Sequence, residues 1–352
     1  MFAVAEPPAG RAAPRSGPVT IADVAVAAGV SKQTVSNVMN YPEKVRPQTR
    51  ERVQRAVADL GFQPNRAARA LRSSSAGMIA CRIEPVSSHS LAHLHDRFLH
   101  ALAEAGQAVG RHLMLFAVDD AESEVATCVR LVRSGSVEGV VLYNVVPDDP
   151  RPAVLLDAGV PFVCFGRFSG SADATGWVDV DNAAGVAAVV EHLVACGHRR
   201  IGFLGFPEGH RVGDDRAGGW VTAMDRHGLL TGDHRLDARG EDTWISGARM
   251  ARTLLDRTGA PTALVAASDT LAAGALQAAR DLGLVPGDDV AVVGYDDTPS
   301  AEVLDLSSVR QPIPEIGRRI VESLCPPDGT PLPVAALLAP ELVVRGSSRR
   351  RA

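Results

Sequence analysis

Lys32, Gln33, Ser36, Asn37 and Asn40 fall on one face of the helical pattern that begins after Ser31, and their types suit the reading of nucleic acid bases. Lysine donates to guanine, glutamine and asparagine offer the paired donor and acceptor that adenine matches, and hydroxyls such as those of Ser31 and Thr34 reach phosphates. The elements that must present this ridge are two short helices around a tight turn, in VTIADVAVAAGVSKQTVSNVMN. Thr20 can cap the first helix, with Asp23 completing a weak capping box, and Ile21, Val24, Ala25 and Ala28 share a face. Gly29 ends that helix. Ser31 caps a second in which Val35, Val38 and Met39 point inward. Such a helix-turn-helix lays its second helix in the major groove of DNA. A plain amphipathic hairpin with a solvated polar face is the alternative.

Beyond a short wing, YPEKVRP, a third helix is signalled from Thr49 to Leu60, with Val53, Ala56, Val57 and Leu60 on one side and Gly61 as its stop. In PNRAARALR, Pro64 can open a fourth short helix that Asn65, Arg66, Arg69 and Arg72 make polar and cationic. Leu71 is placed either as a wedge into a base step or as a buried contact with the next domain. Charge supports a separate DNA-binding module. The whole chain has 36 basic and 41 acidic residues, a net of −5, yet its first 76 residues hold 11 basic and 5 acidic ones, net +6, leaving −11 for the rest. Both lysines, Lys32 and Lys44, lie in this basic part.

From residue 77 onward, short apolar runs alternate with helical patterns. Strands are expected at Met78–Ile83, Leu113–Val118, Gly139–Tyr143, Phe162–Phe165, Ile201–Gly205, Ala263–Ala267 and Val290–Tyr295. Helices are expected near Leu91–Ala105, Glu122–Arg133, Asn182–Ala195, Asp215–His227, Ser246–Arg257, Thr270–Leu282 and Glu315–Leu324. This is an α/β pattern of parallel sheets wrapped by helices, long enough for two lobes with a ligand cleft at the strand carboxyl ends. The polar residues at those ends are Arg167, Ser268, Asp269 and Asp296, with Arg216 after the loop that leaves IGFLG. Carboxylate and guanidinium groups bind vicinal hydroxyls through paired hydrogen bonds. Structural readings compete: Asp269 as a helix cap, Asp296 and Asp297 as a turn, Arg216 as a surface residue.

VTIADVAVAAGVSKQTVSNVMN with FQPNRAARALR resembles the headpiece and hinge helix of the lactose/galactose repressor family, and the resemblance covers essentially the whole chain. It implies that Lys32, Gln33 and Asn37 read bases, that Thr20, Ser31, Thr34, Asn40, Thr49 and Asn65 touch the sugar-phosphate backbone, and that paired hinge helices push Leu71 into the minor groove. Ser36 and Ala68 complete the expected DNA-facing set. The family usually has arginine where this chain has Asn37, so the base read there is expected to differ. The second half, including VDVDNAAG, GHRRIGFLG, DDRAGGWVTAM, PTALVAASDTLAAGAL, DVAVVGYDDTPSA and SVRQPIPEIG, is similar to the family's effector domain, which has the two-lobed periplasmic sugar-binding fold. Arg216 and Asp296 then match effector-gripping residues, and Ser268 stands where asparagine is common. Gln311 matches a position at the lobe crossover, and Arg167 follows a strand where sugar-responsive members carry Asp-Arg. The first strand loop lacks the family's Asn-Pro-Phe-Phe run, and Asp242 falls at another aromatic position, with Trp244 two residues away as the substitute stacking face.

The expected organisation begins with a disordered tail over 1–17 (or translation from an upstream start), a headpiece over 18–63, and a hinge over 64–76. It continues with an N-lobe from 77–178 and 312–330, a C-lobe from 179–311 and 331–346, and a tail over 347–352. No apolar run reaches membrane-spanning length, and the amino terminus lacks a secretory signal. Cysteines 81, 128, 164, 196 and 325 show no metal spacing and fit a reducing cytoplasm as small core residues. His89, His93, His95 and His100 read as a solvated loop and helix face rather than a metal site. Nucleophile-elbow, P-loop and dinucleotide fingerprints are absent, so neither an enzyme nor a cofactor is expected. The expected function is a transcriptional regulator that binds a double-stranded operator as a homodimer and responds to a sugar or glycoside, with a nucleobase as second choice. A periplasmic-type sugar-binding protein without a regulatory role is the alternative.

Overall fold

Thr20 and Ser31 both lie in extended backbone and accept a hydrogen bond from the amide three residues on, so the first two helices start where hydroxyl caps stand. The computed structural model describes residues 19–62, 77–83, 92–146, 148–168, 176–230, 236–326 and 333–349. Helices α1 (Ile21–Ala28), α2 (Lys32–Asn40) and α3 (Pro47–Leu60) make the headpiece, with a 3₁₀ turn at Pro42–Lys44. Thr20 and Asp23 form a full capping box, the Asp23 carboxylate accepting from the Thr20 amide at 2.8 Å. Gly29 takes φ 61°, a left-handed conformation that lets α1 stop in one residue. Val24, Ala25, Ala28, Val35, Val38, Val53 and Ala56 form the core, and Ile21, Met39 and Val57 pack around it. Leu60, expected on that side, is exposed, because Gly61 ends α3 before its last turn reaches the core.

The chain divides between Ser75 and Ala76 into two units. The tail and the hinge helix expected at 64–76, with Asn65, Ala68 and Leu71, lie outside the described residues.

The second unit contains two six-stranded sheets. Strands β1 (Met78–Arg82), β2 (His112–Phe116), β3 (Gly139–Leu142), β4 (Phe162–Phe165), β5 (Gly176–Val180) and β11 (Ala335–Leu338) pair in the order β11-β5-β4-β3-β1-β2, all parallel. Strands β6 (Ile201–Gly205), β7 (Asp237–Arg239), β8 (Ala263–Ala266), β9 (Ala291–Tyr295), β10 (Ser307–Arg310) and β12 (Glu341–Val343) pair as β12-β10-β9-β8-β6-β7, with only β12 antiparallel. Runs such as GVVL, FVCF and ALVA are buried throughout, as parallel strands covered on both faces must be. Covering the sheets are α4 (Ala92–Ala108), α5 (Ala121–Arg133), α6 (Pro150–Asp157), α7 (Asn182–Ala195), α8 (Arg211–Arg226), α9 (Trp244–Leu255), α10 (Asp269–Asp281), α11 (Pro299–Val303) and α12 (Ile313–Leu324). Close helix packing uses glycine: a side chain on Gly274 of α10 would collide with the Trp244 carbonyl of α9.

The chain passes between the sheets three times, from β5 into α7, from β10 into α12 and from β11 into β12. This corrects the expected lobe boundaries. Strand β5 runs on to Val180, and residues 335–338, assigned to the C-lobe, pair with β5 in the first sheet. Only β12 and the 3₁₀ turn at Gly346–Ser348 return to the second sheet. Ser347 and Ser348, read as tail, are buried, and Ser347 donates to the Val292 carbonyl.

Candidate functional sites: a polar ridge and an interlobe cleft

On α2 the Ser31 hydroxyl accepts from the Thr34 amide at 3.1 Å and bonds the Thr34 hydroxyl at 2.9 Å. Lys32 and Gln33 are exposed on the first turn. The Gln33 side-chain amide donates to the Asn37 side-chain oxygen Oδ1 at 3.0 Å, so these two residues form one presented unit. Ser36 departs from expectation: it is buried, since it stands three residues before Met39 and so borders the packed face of the helix. The side chain of Asn40 lies outside the described residues, Thr20 is exposed in its capping box, and Thr49 is half-buried in the first turn of α3. Arg52 was not legible as part of this site. Its guanidinium donates to the Ala28 carbonyl at 2.5 Å and the Gly29 carbonyl at 3.2 Å, placing a cation on the carboxyl end of α1 and fixing the turn that orients α2.

Between the two lobes lies a cleft that opens to solvent and holds about 670 Å³ of empty space, at the carboxyl ends of the strands, where both sheets reverse their winding order. Arg216, buried in α8, is its centre. Its guanidinium stacks 3.6 Å from the centroid of Tyr295. Its Nε donates to the Asn182 side chain at 2.9 Å, Nη1 donates to the Ala267 carbonyl, and Nη2 lies 3.6 Å from Asp296 Oδ1. Asp296 has φ 105° and Asp297 φ 47°, a turn that aims the Asp296 carboxylate into the cavity. Gln311 donates to Asp296 Oδ1 at 2.6 Å, and Arg97 of the first lobe donates to the Asp296 carbonyl at 2.7 Å. Burial pushes the Asp296 carboxyl up, against the pull of Arg216 and Gln311. Asn182 and Gln311 stand at two of the three lobe crossings, so the residues that hold Arg216 and Asp296 also sit where the lobes hinge.

The other expected residues divide. Arg167 stands beside the cavity, its guanidinium held by Asp179 at 2.9 Å and Asp215 at 3.1 Å, and Arg211 donates to its carbonyl. Ser268 caps α10 and donates to Asp242 Oδ1 at 2.5 Å, so it reaches the cavity only through Asp242. Asp269 neither caps a helix nor faces the cavity. It is buried, accepting from the Thr298 amide at 2.7 Å and from the hydroxyls of Thr298 at 2.9 Å and Ser308 at 2.5 Å, and burial lifts its carboxyl to about 7. Trp244, expected as the stacking face, does not line the cavity. Thr243 caps α9 by accepting from the Ser246 amide at 3.1 Å, which turns Trp244 out to 57% exposure and leaves Asp242 on the cavity wall. Burial, with Asp296 nearby, lifts the Asp242 carboxyl to about 7.

Sequence reasoning missed several lining residues: Asn144, Asp179, Asn182, His210 and Arg211, with Tyr143 and Phe165 as apolar walls. Asp179 and Asn182 fall inside VDVDNAAG, where the end of a strand was the only available signal. The Tyr143–Val145 wall is braced from behind by buried Arg151, which donates to the carbonyls of Tyr143 at 3.3 Å and Asn144 at 3.0 Å and pairs with Glu124 at 2.7 Å and Asp149 at 2.6 Å. His210 caps α8 against Gly213. Burial and then the Arg216 charge push the imidazole pKa down. Of the histidine group, His95 is buried against Tyr143, with ring centroids 4.5 Å apart, rather than solvated, because α4 turns it toward the first-lobe core. His100 is exposed beside Asp96, while His89 and the His93 side chain lie outside the described residues. Four cysteines are buried and Cys196 is half-buried. Among the described residues no three His, Cys, Asp or Glu side chains converge as metal ligands, and no helix is long and apolar enough to cross a membrane.

Residues 20–65 match the bacterial regulatory proteins of the lacI family, and residues 190–348 match the periplasmic binding protein-like domain. The chain is 34% identical to the HTH-type transcriptional regulator CelR of Thermobifida fusca over 335 residues, covering 93% of this chain and 98% of that one. The chain belongs to the lacI family of regulatory proteins. Among solved structures it is similar to a transcriptional regulator CelR–cellobiose complex, with 33% identity, TM-score 0.67, and 94% of this chain and 99% of that chain covered. It is also similar to the lac repressor dimer bound to operator and the anti-inducer ONPF, with 28% identity, TM-score 0.76, and 95% and 100% covered. The headpiece is accordingly the lacI-type helix-turn-helix domain, and the second unit carries the periplasmic binding protein-like domain.

Proposed function

We propose that this lacI-family regulator is a repressor of carbohydrate uptake or catabolism genes, acting in the cytoplasm as a homodimer on a pseudo-palindromic operator and released by a small sugar or glycoside. The observation that carries the reading is α2: a hydroxyl-capped helix that presents Lys32, Gln33 and Asn37 from a basic headpiece. Lys32 and the Gln33–Asn37 pair read base edges in each half-site, while Thr20, Ser31, Thr34, Asn40 and Thr49 contact phosphates. Asn65, Ala68 and Leu71 of the hinge meet the operator centre, with Leu71 as the wedge whose unstacking cost of a few kcal/mol is offset by added contacts. Ser36 is withdrawn from the reading set by its burial.

The effector reading rests on Arg216 and Asp296. A guanidinium and a carboxylate fixed side by side can hydrogen-bond neighbouring hydroxyls, and the flanking rings and aliphatic groups suit the faces of a sugar. The relative solved with cellobiose supports this ligand class. Closing the cleft on ligand changes the lobe relation, and a coupling of about 1–3 kcal/mol changes operator affinity about 5–150-fold. A free sugar-binding protein would have no use for the ridge. Selection of bound fragments from the source genome, followed by a screen of carbohydrates for release, tests the reading. A palindromic site and release by a sugar are expected, and equal binding to all duplexes at moderate ionic strength would overturn it.

A further inference from the structure

The carboxylates on the cavity wall are unequally compensated. Asp296 has the Gln311 amide at 2.6 Å and the Arg216 guanidinium at 3.6 Å, and Arg97 holds its carbonyl. Asp179 has Arg167 at 2.9 Å and Arg211 at 3.4 Å. Asp242 has the Ser268 hydroxyl on Oδ1 and, among the described residues, no cation within 4 Å. Arg216, whose charge is felt at Asp242, is already committed to Asn182, the Ala267 carbonyl and Asp296. His210, on the same wall, is held toward its neutral form.

We infer that Asp242 makes this cleft selective for a polyhydroxylated ligand carrying a primary ammonium group, such as an amino sugar or aminocyclitol, with the ammonium seated on the Asp242 carboxylate. The inference rests on the proposed effector role of the cleft and names the class of ligand it takes. A ligand hydroxyl gives Asp242 one hydrogen bond and leaves its charge unmatched. An ammonium gives it a charge and up to three donors, the combination a desolvated carboxylate needs. The other wall suits the rest of such a molecule: Arg216 and Asp296 meet the hydroxyls, and Tyr143, Phe165, Phe206 and Val212 meet the ring. The lift of the Asp242 carboxyl toward neutrality fits a cleft that holds more negative charge when empty than it can solvate. Ser268 is the positioning residue: its hydroxyl, itself fixed by the Leu271 amide at 3.1 Å, leaves Oδ2 as the oxygen open to ligand.

The test uses the full chain and matched ligands that differ only in the charged group: glucosamine, galactosamine and mannosamine, and the glucosamine dimer, each beside its hydroxyl parent and its N-acetyl derivative. Thermal shift and calorimetric titration give the affinities. At least one amine is expected to bind tenfold or more tightly than both neutral partners, and Asp242→Asn is expected to remove that margin while retaining operator binding. Asp242→Ser guards against a specific defect of the amide. A neutral sugar that binds as tightly as its amine overturns the ammonium inference and leaves the sugar-effector reading standing. An amine preference that survives both substitutions overturns the assignment to Asp242. If no member of the panel binds, the inference and the sugar reading fall together.

Discussion

The ridge on α2 and the cleft between the lobes use the same residue types in opposite ways. On the ridge, Lys32 and Gln33 stand in solvent, with one local hydrogen bond from Gln33 to Asn37. In the cleft, Arg216, Asn182, Asp296 and Gln311 are cross-linked before any ligand arrives. Exposed polar groups keep their hydration and exchange it for a partner at little cost to the fold. Buried ones are part of the fold, so stability and recognition are tied together there. Substitutions in the cleft should therefore disturb both properties, and substitutions on the ridge only recognition.

The largest effect is expected from Arg216→Ala. Removing the guanidinium strips Asp296 of its cation and Tyr295 of its stacked partner, and a buried charge left without its partner costs about 3–5 kcal/mol. Chemical denaturation should show that loss, and operator binding by the remaining folded protein should no longer answer to effector. A variant as stable as the parent that still responds would break the comparison at its centre.

Asp242→Asn is expected to act in the opposite direction and to depend on pH. The folded state lifts this carboxyl to about 7, so it holds the proton more tightly than the unfolded chain does. Its contribution to stability is complete below about pH 4 and is lost as the pH rises through about 7, a span of about 4 kcal/mol at most. The asparagine variant should match the parent near pH 4 and exceed it by about 2–4 kcal/mol at pH 8, as read from melting curves across that range. A slope remains because Asp269 is displaced in the same direction. Parallel pH profiles for the two proteins would show that Asp242 is not the strained carboxylate.

The same contrast explains what could be read from the chain. Strands such as Ile201–Gly205 and Ala263–Ala266 announce themselves because both faces are buried and every residue must be apolar or small. Strand β7, with the sequence DAR, is a three-residue edge, and β10, SSVR, buries Ser307 and Ser308 through hydrogen bonds to the Arg345 carbonyl and Asp269. Neither carries a hydrophobic period. Arg216, Asp296 and Gln311 were legible from motif resemblance and meet in the cavity. Trp244 was expected at the cavity and Asp242 was not singled out, because one hydrogen bond decides the matter: Thr243 capping α9 sets which of its neighbours faces inward. Ser36 failed for a similar reason, since a small polar residue at the margin of a helix face can turn either way.

Arg52→Ala sharpens the comparison inside the headpiece, where a polar residue has a structural role. Its hydrogen bonds to the Ala28 and Gly29 carbonyls bridge α3 to the end of α1. Because the side chain is largely exposed, a loss of only about 1 kcal/mol is expected. Melting of the variant should show that modest loss together with weaker binding to every duplex, because the turn that orients α2 loosens. A loss confined to one operator sequence would instead place Arg52 among the base readers.

Asn37→Arg is expected to change stability least, within about 0.5 kcal/mol, since it substitutes a half-exposed helix position. Its effect should lie in sequence preference. Asn37 now accepts the Gln33 amide and so fixes which end of that side chain faces a base. Arginine has no acceptor, which frees Gln33 and adds a fork that favours guanine. Binding-site selection should show one symmetric position per half-site changing its preferred base, with discrimination of about 1–3 kcal/mol, and the neighbouring position served by Gln33 becoming less selective. A change at the first position alone would mean that Gln33 and Asn37 read independently, and no change at either would remove Asn37 from the reading ridge.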